Sequence, residues 1–217
     1  MHLIYKMCEH ILKKWNQYIE EKLLPLISSD LEGNIYSKHK STTKCDVLIP
    51  KQKNIINIIS KIKPQNILEI GFNAGFSALL IKMTAEQIGL KEMKITCIDI
   101  NDHPYVTKCH KKISQDYTDV DLITYSSHTY LPHLHETSRI CYDLIHIDGD
   151  HTLDGAEHDL LDCLKLSHKG TVIIFDDTNL KHINNICDQF IRKGLINEHK
   201  FDKIEGTTYN HRFLEVV

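Results

Sequence analysis

The stretch NILEIGFNAGFSALLIK, from Asn66 to Lys82, holds an apolar run, an acid, two glycines and a second apolar run within seventeen residues. Ile67, Leu68 and Ile70 make a run of strand length, Gly71 and Gly75 interrupt it, and Phe76, Leu79, Leu80 and Met83 recur at helical spacing. The segment is therefore expected to run strand, turn, helix. Such a turn presents backbone N–H groups at a helix start, and Gly75 carries no side chain that would hold a ligand away. The pattern predicts a cradle for a small molecule.

Outward from this unit the chain alternates. Strands are expected at 66–70, 94–99, 120–125, 142–148 and 171–176, with helical patterns near 76–88, 104–115, 128–136 and 153–166. Repeated strand and helix order predicts an α/β fold: a Rossmann-like, doubly wound, mostly parallel sheet with helices on both faces. After a further helix near 182–193, the segments KFDKIE (200–205) and RFLEVV (212–217) are expected to close one edge as an antiparallel hairpin, giving seven strands. Ahead of the unit, Pro50 opens a short helix with Ile55, Ile56, Ile59 and Ile62, and residues 28–44 have the composition of a loop. At the start of the chain, Met7, Ile11, Trp15, Ile19 and Leu23 recur every four residues until Pro25. This extra N-terminal helix is expected to use its apolar stripe for packing, with a homodimer contact as the other use of such a face.

The chain has 217 residues, 41% of them hydrophobic, enough for one large core. The expectation is a single domain, 1–217, with 1–45 as a helix and loop extension and 46–217 as the core. The 26 basic and 29 acidic side chains are mixed along the chain and leave a formal charge of −3, so no field draws it to nucleic acid or an anionic membrane. Seven cysteines include no C-x-x-C pair and one is left over under any full pairing, the usage of a cytoplasmic protein with reduced thiols. Charged residues interrupt the N-terminal apolar run, and nowhere do about 18 apolar residues follow one another, so neither a signal peptide nor a membrane span is expected.

In an open α/β sheet the ligand sits at the carboxyl ends of the strands, which makes acids there informative. Asp99 closes the second strand 28 residues after Gly71, a spacing suited to a carboxylate that binds ribose hydroxyls. The first turn contains Gly71 and Gly75 with Asn73 between them and lacks G-x-G-x-x-G, which weakens a dinucleotide reading. Asn tolerates the left-handed conformation that such a turn requires.

The order E-I-G-F-N-A-G-F-S, Glu69 to Ser77, resembles the first motif of class I S-adenosylmethionine methyltransferases. The segment YDLIHIDGDHTLDGAEHDLLDCLKLSHKGTVIIFDDT, Tyr142 to Thr178, strengthens the likeness and is similar to the metal-dependent branch that methylates catechols, sugars and other small molecules. In that branch a strand ending in Asp, a helix, a Lys-Gly turn and a strand ending in two acids supply a divalent metal site. The matching residues are Asp148, Lys169-Gly170 and Asp176-Asp177. The resemblance implies S-adenosylmethionine at Glu69, Gly71, Asn73, Gly75, Ser77, Asp99, Ser127, His128 and Asp148. It implies Mg²⁺ or another divalent cation at Asp148, Asp176 and Asp177. Val47 and Lys51 fall where family members approach the cofactor.

Three carboxylates suit a hard ion that prefers oxygen ligands, and the local sequence offers them no cationic partner. A substrate with two neighbouring oxygens could chelate the ion, which would acidify its hydroxyl. Asp150 and His151 follow the first ligand; in related enzymes one of these positions takes the hydroxyl proton. A histidine near its ordinary pKa is mostly neutral at pH 7, which favours His151 over Asp150. The expected activity is methyl transfer to a hydroxyl of a small molecule, catechol-like or sugar. An NAD-dependent dehydrogenase and a non-catalytic subunit of the same fold are the alternatives.

Overall fold

The computed structural model describes residues 2–27, 48–200 and 211–217. Five parallel strands, β1 (Asn66–Ile70), β2 (Lys94–Ile98), β3 (Val120–Ile123), β4 (Tyr142–Ile147) and β5 (Ser167–Phe175), alternate with helices. They join β6 (Ile196–Glu198) and β7 (Arg212–Val216) in one seven-stranded sheet of order β3-β2-β1-β4-β5-β7-β6. β7 runs antiparallel to both β5 and β6. The expected mostly parallel sheet with an antiparallel C-terminal pair is therefore present.

Alternation along each strand sends side chains to opposite faces. Leu68, Ile145, Ile173 and Leu214 share one core cluster with α5 (Ser127–Thr137), α6 (Leu153–Lys165) and α7 (Lys181–Arg192). Ile67, Ile95, Leu144, Val172 and Phe213 share the other with α1 (His2–Tyr18), α2 (Leu48–Ile62), α3 (Phe76–Gln87) and α4 (Val106–Asp116). The strand order reverses between β1 and β4, where α/β sheets bind ligands.

Two expectations are corrected. The sixth strand is Ile196–Glu198, earlier than the segment KFDKIE, of which 201–205 lie outside the described residues, as does the expected loop at 28–44. The expected antiparallel pair does close the sheet edge, with β7 between β5 and β6 so that only β7 touches β5. The Lys169-Gly170 turn is an irregularity inside β5: Tyr142 pairs with Ser167 and Leu144 with Val172, and Gly170 takes a φ of +90°. Three residues of β4, 142–144, thus lie along six of β5, 167–172, and the surplus is taken up where glycine permits the backbone angle.

The N-terminal stripe packs as expected. Ile11, Trp15, Ile19 and Leu23 are buried, and the Trp15 indole N–H donates to the carbonyl of Phe76 at 2.8 Å, at the start of α3. At Pro25 the chain is already in a single 3₁₀ turn, Leu24–Leu26, after a π-helical turn at Ile19–Leu23. Among the described residues no helix is long and apolar enough to cross a membrane, and Cys97, Cys109, Cys141, Cys163 and Cys187 are free thiols. Because Ile19 is wholly enclosed, Ile19→Ala should cost about 2 to 5 kcal/mol in urea unfolding; a loss under about 0.5 kcal/mol would mean that the π-helical turn after α1 is a surface appendage.

Candidate active site

Residues that directly follow β1 to β5, or lie one or two positions beyond, line a single cavity of about 760 Å³, within the usual range for small-molecule sites. Gly71, Asp99, Tyr125, Asp148 and Asp176 come from the five strand ends, and Lys51 and Trp15 come from α2 and α1. Of the expected residues, Asn73, Ser77, Ser127, His128, Asp150, His151 and Asp177 also line it.

The turn after β1 is shaped by its own packing. Gly71, Asn73 and Gly75 have φ of +91°, +49° and +73°, the left-handed side where glycine and asparagine are tolerated. A Cβ at Gly71 would collide with the backbone carbonyl of Asp148, and one at Gly75 with the ring of Phe72. The glycines therefore serve the approach of protein to protein, which corrects the expectation that Gly75 makes room for a ligand; Gly75 does not line the cavity. Asp99 fixes this turn. Its Oδ2 accepts from the Asn73 N–H and its Oδ1 from the Asn101 N–H, both at 2.7 Å, while the Asn73 side chain accepts from the Tyr105 hydroxyl at 2.9 Å. Ile100 and Tyr125 are 59% and 62% exposed, and both line the cavity, forming an apolar margin beside Asp99.

Glu69 also departs from expectation: it is fully buried beneath the cavity and does not line it. Its Oε1 lies 3.0 Å from His146 Nδ1, and its Oε2 accepts from the Cys97 thiol at 3.4 Å. The strand register causes this, because Glu69 pairs with Cys97 on β2 and with His146 on β4. His146 is 1% exposed and its Nε2 has no hydrogen-bond partner.

Asp148, Asp176 and Asp177 do not gather as one set among the described residues. Donor atoms within 4.8 Å of one another form two groups that share Asp148: one with His146 and Asp176, one with His151 and Asp177. One cationic partner arrives through the fold and the other stands just after Asp148 in the chain. The Lys51 ammonium pairs with Asp176 Oδ2, and His151 Nε2 lies 2.9 Å from Asp177 Oδ2 and 3.6 Å from Asp148 Oδ1. Burial works against a charge on Asp148, yet Lys51 and the His151 hydrogen bond hold its carboxyl below the usual range.

Neither expected base is poised to accept a proton in this arrangement. The carboxylates of Asp148 and Asp177 push His151 up to about 10, so it is an imidazolium at pH 7, contrary to the expected neutral ring. Asp150 is held low, first by the backbone N–H of Thr152, which donates to its Oδ1 at 2.8 Å ahead of α6. His128 stands 3.7 Å from Asp159 of α6, whose carboxyl is fully buried and raised by that burial.

Sequence reasoning placed Lys51 near the cofactor only by analogy, and it missed Trp15, His146 and Asp159 as parts of the site. His146 stands two residues before Asp148 on the same strand face, a visible spacing, but its partner is set by register with β1.

A family model described as a methyltransferase domain matches residues 68–178, 111 of the 217 residues. The chain belongs to this methyltransferase family. No curated protein matches the sequence. Among solved structures, this methyltransferase is similar to an O-methyltransferase from Bacillus cereus in complex with SAH, at 17% identity and a TM-score of 0.62, covering 98% of this chain and 90% of that one. It is also similar to the SAH-bound methyltransferase PaMTH1 of Podospora anserina, at 15% identity and a TM-score of 0.63, over 100% of this chain and 94% of that one. The O-methyltransferase TomG of Streptomyces achromogenes, solved with SAM, shares 16% identity and a TM-score of 0.61 over 78% of this chain and 80% of that one. At these identities the likeness concerns the fold.

Two predictions follow from the methyltransferase's site geometry. Gly71→Ala should lose at least about 2 kcal/mol of stability, because strain at positive φ adds to a backbone collision; a variant as stable as wild type in urea would show that β1 and β4 do not approach this closely. His151 has a folded pKa above its unfolded one, so its contribution to stability is fully present below about pH 6.5 and is lost as pH rises through about 10. In chelator, the difference in Tm between wild type and His151→Gln should shrink between those pH values, and a difference constant from pH 6 to 10.5 would contradict the ion pairs.

Proposed function

We propose that this methyltransferase takes its methyl group from S-adenosylmethionine and places it on a hydroxyl of a small molecule, sugar or catechol-like, with help from a divalent cation. The observation that carries this reading is one cavity with a fixed carboxylate, Asp99, beside an apolar margin at one side and an acid and histidine cluster at the other. Asp99 retains lone pairs beyond its two backbone hydrogen bonds, enough to accept from ribose hydroxyls. Ile100 and Tyr125 offer apolar surface to a flat base, with Ser127 and His128 at its edge. Gly71, Asn73 and Ser77 border the remaining length of the cofactor. Two of the similar structures are O-methyltransferases solved with SAH or SAM, which favours the same cofactor here.

The donor set fits a divalent cation, since the unpartnered His146 nitrogen and two carboxylates face one another. Such an ion would lower the pKa of a bound hydroxyl and orient it toward the methyl group. Asp148 and Asp176 would hold it, with Asp177 nearby. His151, half exposed at the cavity mouth, takes the hydroxyl proton only when its own is gone, which requires that Asp148 and Asp177 no longer hold it as an imidazolium. Trp15, Phe76 and Ile55 give the wall apolar surface, which would help to keep water from the reacting groups.

The test is calorimetry with S-adenosylmethionine, followed by transfer of a labelled methyl group to a panel of glycosides and catechols with Mg²⁺, with Mn²⁺ and with chelator. Asp99→Ala should weaken cofactor binding by about 1.5 to 3 kcal/mol. Asp176→Ala should abolish turnover and leave cofactor affinity nearly intact. Absence of cofactor binding by wild type would overturn the reading, and full turnover in excess chelator would remove the cation from it.

A further inference from the structure

Beneath the cavity, polar side chains form a buried row across three strands. Cys97 on β2, Glu69 on β1 and His146 on β4 are adjacent in register, on the face covered by α2 and α3, and each is almost wholly enclosed. Glu69 Oε1 lies 3.0 Å from the imidazole Nδ1, so in the neutral ring the proton sits on Nδ1, where Glu69 accepts it, and the Nε2 lone pair points the other way. That lone pair has no donor. What it faces is a second acceptor, Asp176 Oδ2, at 4.0 Å.

Two acceptors turned toward each other in the interior repel unless something positive lies between them. The separation of 4.0 Å is too long for a hydrogen bond. An ion shared by the two at about 2.1 Å from each would draw them together to about 3 Å, the spacing of neighbouring octahedral positions. A carboxylate oxygen of Asp148 lies within 4.8 Å of both donors. The backing carboxylate is a further sign, since imidazoles that ligate metals characteristically donate their other N–H to a carboxylate.

We infer that the divalent cation of this protein is held by His146 Nε2 together with Asp148 and Asp176, oriented from behind by Glu69, and that Asp177 and His151 lie outside this ligand set. The site rests on the methyltransferase reading only for what the ion does, and its binding can be measured apart from turnover. One nitrogen and two carboxylates form a mixed donor set, which favours first-row transition ions such as Mn²⁺ over Mg²⁺, whose ligands are oxygens. The Lys51 ammonium holds the same oxygen of Asp176, so ion binding exchanges one cation for another at that carboxylate. The second cluster keeps its own charge balance through His151.

The experiment uses the full chain, uniformly labelled at histidine nitrogen or unlabelled, with one equivalent of Mn²⁺. Pulsed electron paramagnetic resonance detects an imidazole nitrogen bonded to Mn²⁺, and calorimetry gives affinities for Mn²⁺, Mg²⁺ and S-adenosylmethionine in the same samples. The expected result is an imidazole coupling in wild type that persists in His151→Gln and disappears in His146→Gln, with Mn²⁺ bound more tightly than Mg²⁺. Coupling absent from wild type, coupling lost in His151→Gln, or failure to bind Mn²⁺ would each overturn the site. If the buried His146→Gln variant fails to fold, wild type and the exposed His151→Gln variant decide the matter between them. Cofactor binding without nitrogen coupling would remove the His146 site and leave the methyltransferase reading intact; nitrogen coupling without cofactor binding would do the reverse.

Discussion

The carbonyl of Asp148 occupies the space that a side chain at position 71 would need, so Gly71 permits the close approach of the carboxyl ends of β1 and β4 around which the cavity is built. The hydrogen bonding of the sheet continues one residue past four strands. Gly71 N–H donates to Ile98, Asp99 to Ile123, Asp148 to Ile70 and Asp176 to Ile147, all at 2.9 to 3.0 Å. Each of these site residues is therefore held by the last residue of the neighbouring strand. Loops that begin this way start from a rigid ladder, which is how a sheet holds functional groups within fractions of an ångström.

Electrostatics complete what the backbone begins. Three carboxylates at the ends of β4 and β5 would repel one another if left alone. Lys51 and His151 neutralise them from two sides, while His146 approaches from below with an unused lone pair. The result is a cluster poised between internal ion pairs and an external cation. In such a cluster the protonation of His151 and the occupancy of Asp148 are linked, because both draw on the same carboxylate.

Packing ties the N-terminal helix to the same place. Trp15 hydrogen-bonds the first residue of α3 and also lines the cavity, so a helix that precedes the sheet in the chain forms part of the wall. Tyr105, on the chain between β2 and α4, performs a similar service for Asn73 in the turn after β1. The cavity is thus enclosed by segments drawn from most of the described chain.

The sequence by itself determined the elements and their faces. Alternating apolar runs marked all five parallel strands, the glycine and asparagine pattern marked the turn after β1, and the acids at 99, 148, 176 and 177 stood where strand ends put them beside a cavity. These features are legible because periodicity and turn chemistry act over a few residues. Only the tertiary structure decided which charges meet. Lys51 reaches Asp176 across 125 residues, and Glu69 finds His146 across 77. The register of β1 with β4 turned Glu69 from an expected cofactor residue into the support of a buried histidine, and the insertion of β7 beside β5 moved the sheet edge to β6. Spacing along a strand fixes the face on which a side chain stands, but its neighbour across the sheet depends on strand order and register, which belong to the packing of the whole core.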